Sequence, residues 1–393
     1  MFETLTPQTP DKIIRLMQMF CDDARMGKID LGVGVWKNAA GQTPVMAAVK
    51  DAERRLVETQ DSKSYIGLAG DPAFLNAMCG LLLGPDADAG RIAAVGTPGG
   101  TGAVRQVLEL VRLARPGCTV WISAPTWPNH PALIDTVGLQ RRDYRYYDPA
   151  TGAVDRKGML ADLGALQPGD VVLLHGCCHN PAGADLARTE WEALASVLAE
   201  RGAVPFVDMA YQGFGAGLDQ DAAGLRILAA RLPEVLVAAS CSKNFGLYRD
   251  RVGMAMALCA DATARDTVQG TLAWLNRQNF AFPPDHGARV VQTILDDAAL
   301  CDSWKTELEA MRLAMEANRR ALADALRDAT RSDRFGFLAA HQGMFSLLGL
   351  TPGQVARLRD DHGIYLVDDS RLNIAGLTEA TIPVVAEAVA KVL

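Results

Sequence analysis

Through the middle of the chain, short apolar runs alternate with longer stretches whose apolar residues recur at helical spacing. TVWIS (119–123), VVLLH (171–175), VPFVD (204–208) and VLVAAS (235–240) are rich in valine and leucine and mostly apolar on both faces. Strands of that kind are buried on both sides. Between them, TGAVRQVLELVRLA (101–114) and TEWEALASVLAERG (189–202) carry apolar residues at the spacing of an amphipathic helix. The alternation predicts an α/β fold, a mostly parallel central sheet covered by helices. From about residue 302 the pattern changes. WKTELEAMRLAMEANRRALADALRDA predicts one long charged helix, followed by the strand-like FSLLGL and IYLVD. We therefore expect a smaller α+β domain from residues 12–43 and 311–393, a large domain over 44–310, and an N-terminal arm over 1–11. No internal repeat or low-complexity tract interrupts this plan.

In open sheets of this type, ligands bind outside the carboxyl ends of the strands. The unusual residues collect there. His175 closes VVLLH, Asp208 closes VPFVD, and Lys243 stands three residues beyond VLVAAS. A lysine in that position is a loop charge, a phosphate clamp or a nucleophile, and its neighbours must decide.

TPGGTGAVRQ (97–106) is a glycine-rich turn opening a helix. Its free backbone N–H groups and helix dipole suit an anion, with the Thr101 hydroxyl in reach; a tight turn capped by Thr101 is the plainer reading. Ser240, Ser242 and Arg251 would add hydroxyls and a guanidinium fork suited to phosphate. The chain has no G-x-x-x-x-G-K-[ST] loop, so these elements point to a phosphorylated cofactor rather than a nucleoside triphosphate. Asp208 at the end of an apolar strand needs a positive partner if buried. A protonated pyridine nitrogen, a nearby arginine or a helix cap would each serve. Asn180 in GCCHNPAG and Tyr211 in DMAYQGF are polar reaches beyond strand ends, able to bond a phenolate oxygen or to serve as turn and core residues. Trp127 in APTWPNH offers a flat face for stacking. His130, three residues on, suits a group holding a carboxylate rather than a base. His175 and His179 lack the spacing and partners of a metal site, and none is assigned.

Composition narrows the setting. The chain has 393 residues, 49% hydrophobic and 22% charged, with a net charge of −7. That balance argues against a nucleic-acid or anionic-membrane partner. No apolar run approaches the ~20 residues of a bilayer span, and MFETLTPQTPDKI has no signal-peptide character. The eight cysteines form no C-x-x-C pair. They read as free thiols in a reducing cytoplasm.

With these residues in hand, SCSKNFGLYRDRVG (240–253) closely resembles the cofactor-lysine motif of the class I pyridoxal-phosphate aminotransferases, the aspartate/aromatic-amino-acid group. TPGGTGA, PTWPNH, HGCCHNPAG and AYQGF recur in that family in the same order. The similarity runs from MFETLTPQ to RLNIAG near the end. The resemblance implies fold type I of the pyridoxal-phosphate enzymes and a homodimer with shared active sites. It implies an amino group moving between an amino acid and a 2-oxo acid by a ping-pong cycle. Lys243 would hold pyridoxal 5′-phosphate covalently and shuttle the proton. Asp208 would pair with the pyridine nitrogen, backed by His130. Tyr211 and Asn180 would bond the ring oxygen, and Trp127 would stack on the ring. Gly100, Thr101, Ser240, Ser242 and Arg251 would hold the phosphate, helped by Tyr65 donated by the partner chain. Gly34, Trp127 and Asn180 would line the substrate, Arg371 would clamp its α-carboxylate, and Arg277, also donated by the partner chain, would meet a side-chain carboxylate.

The chain departs from the aspartate-specific pattern at several points. Ala281 and Phe282 stand where serine and asparagine are usual, Trp36 where tyrosine is common, and Ser64 where asparagine is often found. These changes remove polar groups and add aromatic surface, so aromatic amino acids are the expected substrates alongside aspartate and glutamate, with 2-oxoglutarate as acceptor. The alternatives are a strict aspartate aminotransferase, a decarboxylase or eliminase on the same fold, and a non-catalytic binding protein. Of Asp368 and Asp369, just before Arg371, one is expected to compete for its guanidinium.

Overall fold

The computed structural model describes residues 1–7 and 11–393, so part of the arm expected over 1–11 lies outside the described residues. Two compact units emerge, one spanning Pro44–Leu313 and the other combining Met1–Thr43 with Ala314–Leu393.

The larger unit is built on a seven-stranded sheet. Its strands are β1 (Ile92–Pro98), β2 (Thr119–Ala124), β3 (Gln140–Arg145), β4 (Val171–His175), β5 (Val204–Met209), β6 (Val235–Ser240) and β7 (Val252–Leu258). The spatial order is β1-β7-β6-β5-β4-β2-β3. Strand β7 runs antiparallel to both β1 and β6, and the other pairs are parallel. The expected strands at 119–123, 171–175, 204–208 and 235–240 are all present, because runs apolar on both faces can only sit inside a covered sheet. Strand β7 is buried along its whole length. Helix α1 (Gly99–Ala114) lies across the sheet, and Val104, Val107 and Leu108 join Val95, Val120, Leu173 and Phe206 in one core.

The two sheet edges differ. Strand β3 exposes every residue but Tyr144, and Asp162 accepts the Arg145 backbone N–H at 2.9 Å. At the β1 edge, Gln269 of helix α2 (Ala262–Asn279) bonds both backbone groups of Ala94, accepting at 2.8 Å and donating at 3.0 Å. Asn276, two turns on, donates to Gly96 O and to Leu68 O.

The smaller unit contains two short strand pairs. Ile29–Asp30 runs parallel to Ile364–Tyr365, and Phe345–Leu347 runs antiparallel to Arg371–Asn373. The long charged helix is α3 (Ala298–Thr330). Among the described residues, no helix is long and apolar enough to cross a membrane.

Candidate active site

Parallel pairing of β4 with β5 sets His175 level with Asp208, and pairing of β5 with β6 sets Asp208 level with Ala238. The polar strand ends are therefore neighbours at one edge. Asp208 is buried, and its Oδ2 lies 2.9 Å from Nε2 of His130, which is fully enclosed at 0% exposure. The other nitrogen of His130 meets Thr126 Oγ1 at 2.8 Å, and the same hydroxyl meets His175 Nε2 at 3.1 Å. One threonine thus joins two imidazoles behind the carboxylate. Burial pushes the Asp208 carboxyl up, but the His130 hydrogen bond and the charges of His130 and Lys243 outweigh it and hold Asp208 below its ordinary value. It stays ionised, ready to hold a proton on a cationic partner.

Helix α1 opens at Gly99, whose φ of +72° suits glycine. A Cβ there would come 2.5 Å from Arg251 Nη2, and one on Gly100 would come 3.0 Å from the Ser240 Cβ. The glycine turn is therefore pressed against the other anion element. Arg251 donates to Ser242 Oγ at 3.3 Å and to Tyr248 O at 3.0 Å, and Ser240 Oγ accepts from the Ser242 backbone at 3.2 Å. Thr101 follows in the first turn of the helix. A guanidinium, two serine hydroxyls and a helix N-terminus converge on one cradle, a donor set that fits a phosphate dianion.

Lys243 is half-buried in the turn after β6, with Nζ 4.8 Å from the centre of the buried Tyr211 ring. The turn is held from below. Phe245 stacks on Trp304 with ring centres 4.4 Å apart, and the Trp304 indole donates to Asn244 O at 2.7 Å. A phosphate cradle, a lysine amine and a buried carboxylate sit around the ends of four adjacent strands, β1, β7, β6 and β5. That combination fits a phosphorylated pyridine aldehyde. Trp127 is half-buried and meets His130 edge-on at 5.2 Å. Asn180 is buried in the loop after β4, where Asp185 accepts the backbone N–H groups of Cys178 and His179.

Other groups hold the loops without any motif to announce them. Asp221 accepts the N–H groups of Gly213, Gly215 and Ala216, fixing the turn that follows Tyr211. Cys177, Cys178 and Asp221 bring their ligand-type atoms within 4.8 Å of one another. Both Asp221 oxygens already accept backbone N–H groups, so the cluster reads as loop packing. Neither Thr126 nor Asp221 carried a signal in the sequence.

Tyr65 is 85% exposed and stacks on Phe282, with ring centres 4.7 Å apart and planes 17° from parallel. Arg277 is exposed in the last turn of α2. Arg371 and Gly34 belong to the smaller unit. There the buried Arg371 donates to Gly32 O at 2.9 Å and lies 4.3 Å over the Phe345 ring. Asp369 accepts the Arg371 backbone N–H at 3.0 Å. A Cβ on Gly34 would meet the Phe345 ring at 2.7 Å.

The family model described as aminotransferase class I and II matches residues 26–389. The aromatic-amino-acid aminotransferase of Paracoccus denitrificans is 55% identical over 392 residues, covering 100% of both chains. The aspartate aminotransferase of Salmonella typhi is 42% identical over 396 residues, also covering 100% of both. Among solved structures, the aromatic-amino-acid aminotransferase of Burkholderia pseudomallei, covalently bound to pyridoxal phosphate, has a TM-score of 0.97 at 40% identity. That match covers 100% of this chain and 99% of the other.

Proposed function

The chain belongs to the class I and II aminotransferase family and is a pyridoxal-phosphate-dependent aminotransferase; from that premise we propose that it moves amino groups between aromatic amino acids and 2-oxoglutarate, accepting aspartate and glutamate as well. When bound, pyridoxal phosphate supplies the aldehyde that takes up the amino group and a ring that accepts the electron pair from the substrate Cα–H bond. Asp208 holds the proton on the pyridine nitrogen, and His130 keeps the carboxylate oriented. Ser240, Ser242, Arg251, Gly100 and Thr101 bind the phosphate. Tyr211 and Asn180 bond the ring oxygen, and Trp127 covers the ring face. Lys243 Nζ would anchor the cofactor and, as a free amine, would take up the proton from the substrate Cα. Arg371 takes the α-carboxylate, for which a two-pronged fork is suited.

The observation that carries this reading is the meeting of the buried Asp208–His130 pair and Lys243 at one strand-end edge. The names of the Paracoccus denitrificans and Salmonella typhi relatives support both substrate classes. The Tyr65–Phe282 stack supports aromatic side chains, because it presents ring surface where an asparagine would present an amide. The exposure of Tyr65 and Arg277 supports a homodimer in which each chain lends both residues to its partner's site. All eight cysteines are free, which supports a cytoplasmic location.

The test is a pair of half-reactions. Phenylalanine alone should change the absorption of the bound cofactor, and 2-oxoglutarate should restore it. Lys243→Ala should do neither. A kcat/KM for aspartate far above that for phenylalanine would refute the aromatic assignment, and turnover by the Lys243→Ala enzyme would refute the mechanism.

A further inference from the structure

Arg319 lies in the middle of helix α3 and is 2% exposed. Its guanidinium donates to Ser346 Oγ at 2.7 Å, Phe345 O at 2.7 Å, Gly343 O at 2.8 Å and Gln342 O at 3.0 Å, with a longer contact to Leu338 O. Burying a cation costs several kcal/mol unless its donors are met. Here the acceptors all come from one segment, residues 338–346, which is wound around a single side chain. His341 Nδ1 meets the same Ser346 hydroxyl at 2.9 Å. The neighbouring Asn318 donates to Leu377 O at 3.0 Å, just beyond the strand that opens with Arg371.

The gripped segment runs into the strand Phe345–Leu347, whose register sets Leu347 opposite Arg371 and Phe345 opposite Asn373. The Phe345 ring lies 4.3 Å beneath the Arg371 guanidinium, in space left open because residue 34 has no Cβ. Arg371 also donates to Gly32 O at 2.9 Å. The Arg371 guanidinium therefore lies over a ring whose backbone oxygen and following hydroxyl are both held by Arg319.

We propose that Arg319 is a positioning residue for the Arg371 carboxylate fork, acting through the Phe345 ring. This rests on the reading that Arg371 takes the α-carboxylate. Its consequence is a specific kinetic pattern. The α-carboxylate is common to every substrate, so loss of alignment weakens aromatic and dicarboxylic substrates alike and leaves cofactor binding alone.

The experiment uses the cofactor-loaded enzyme with Arg319→Lys, Phe345→Leu and the double variant. For Arg319→Lys, KM for phenylalanine and for aspartate should rise together by about tenfold, equivalent to about 1.4 kcal/mol. Affinity for 3-phenylpropionate, by calorimetry, should fall equally, with kcat and pyridoxal-phosphate affinity within about threefold of the parent. The double variant should be no weaker than the worse single one, since both act on one path. Unchanged KM, a rise for one substrate class alone, loss of cofactor affinity, or additive effects would each overturn the proposal. If Arg319→Lys does not fold, Phe345→Leu and Ser346→Ala decide the matter: both must raise KM for the two substrates together, and an unchanged KM in either overturns it. An unsubstituted enzyme without turnover would instead count against the transaminase reading, and 3-phenylpropionate affinity would still report on Arg319.

Discussion

Lowering the pH from 8 to 5 tests whether His175 is held as a neutral ring. Burial, followed by the charge of His130, pushes its pKa from 6.5 down to about 3, against an opposing pull from Asp208. The folded protein therefore binds this proton less readily than the unfolded chain. Between pH 6.5 and pH 3 the unfolded chain takes up the proton first, so stability falls as the pH falls. At pH 5 the ratio of proton uptake in the two states corresponds to about 2 kcal/mol, against almost nothing at pH 8. His175 is only half-buried, so this figure is an upper bound. The perturbation is His175→Gln, which can still hydrogen-bond Thr126 but cannot ionise in this range. Denaturant unfolding of both proteins at the two pH values gives four stabilities. The parent should lose up to about 2 kcal/mol more than the variant between pH 8 and pH 5. Groups common to both proteins contribute to both curves, so the difference reports chiefly on His175. Equal losses would refute the assignment of a buried neutral imidazole.

Two further outcomes follow from local geometry. Gly99→Ala forces a side chain into positive φ and against Arg251, so pyridoxal-phosphate affinity, titrated into the apoenzyme, should fall by about tenfold or more. An affinity equal to the parent's would show that the cradle tolerates a Cβ. Phe282→Asn removes the stack on Tyr65, worth about 0.5–1.5 kcal/mol. The phenylalanine-to-aspartate ratio of kcat/KM should move toward aspartate by about threefold to tenfold, and an unmoved ratio would detach the stack from substrate choice.

The parts of the fold that carry the site were legible because they are governed by short-range rules. An apolar run ending in Asp208 or His175 declares both a covered strand and a costly terminus, and the strand rule then places the two ends together. Strand β3 escaped because QRRDYR is polar, as an exposed edge allows. Strand β7 escaped for the opposite reason. VGMAMAL holds glycine, alanine and methionine, weak strand formers whose pairing is decided by neighbours, and nothing local marks it as antiparallel. Thr126 had no signal because its importance comes from register, which brings His175 within reach of a hydroxyl already bonded to His130. Arg319 reads in sequence as one more charge on a solvated helix. Its burial depends on a segment some twenty residues away closing over it.

The unequal treatment of the two sheet edges bears on how the protein avoids pairing edge to edge with other chains. An open strand edge invites another chain to add to it, and the row of free amide groups does not discriminate among partners. Strand β3 answers with surface charge and the Asp162 carboxylate. Strand β1 is mostly small and apolar, so charge is not available to it. There the Gln269 side chain behaves as a single dipeptide of a missing strand, occupying both groups of Ala94. Helix α2, which also carries Arg277, thereby closes the one flank where another copy could zip on by backbone alone. Its sequence is under two independent demands, and a substitution at Gln269 would reveal the second as precipitation while the kinetics stayed intact.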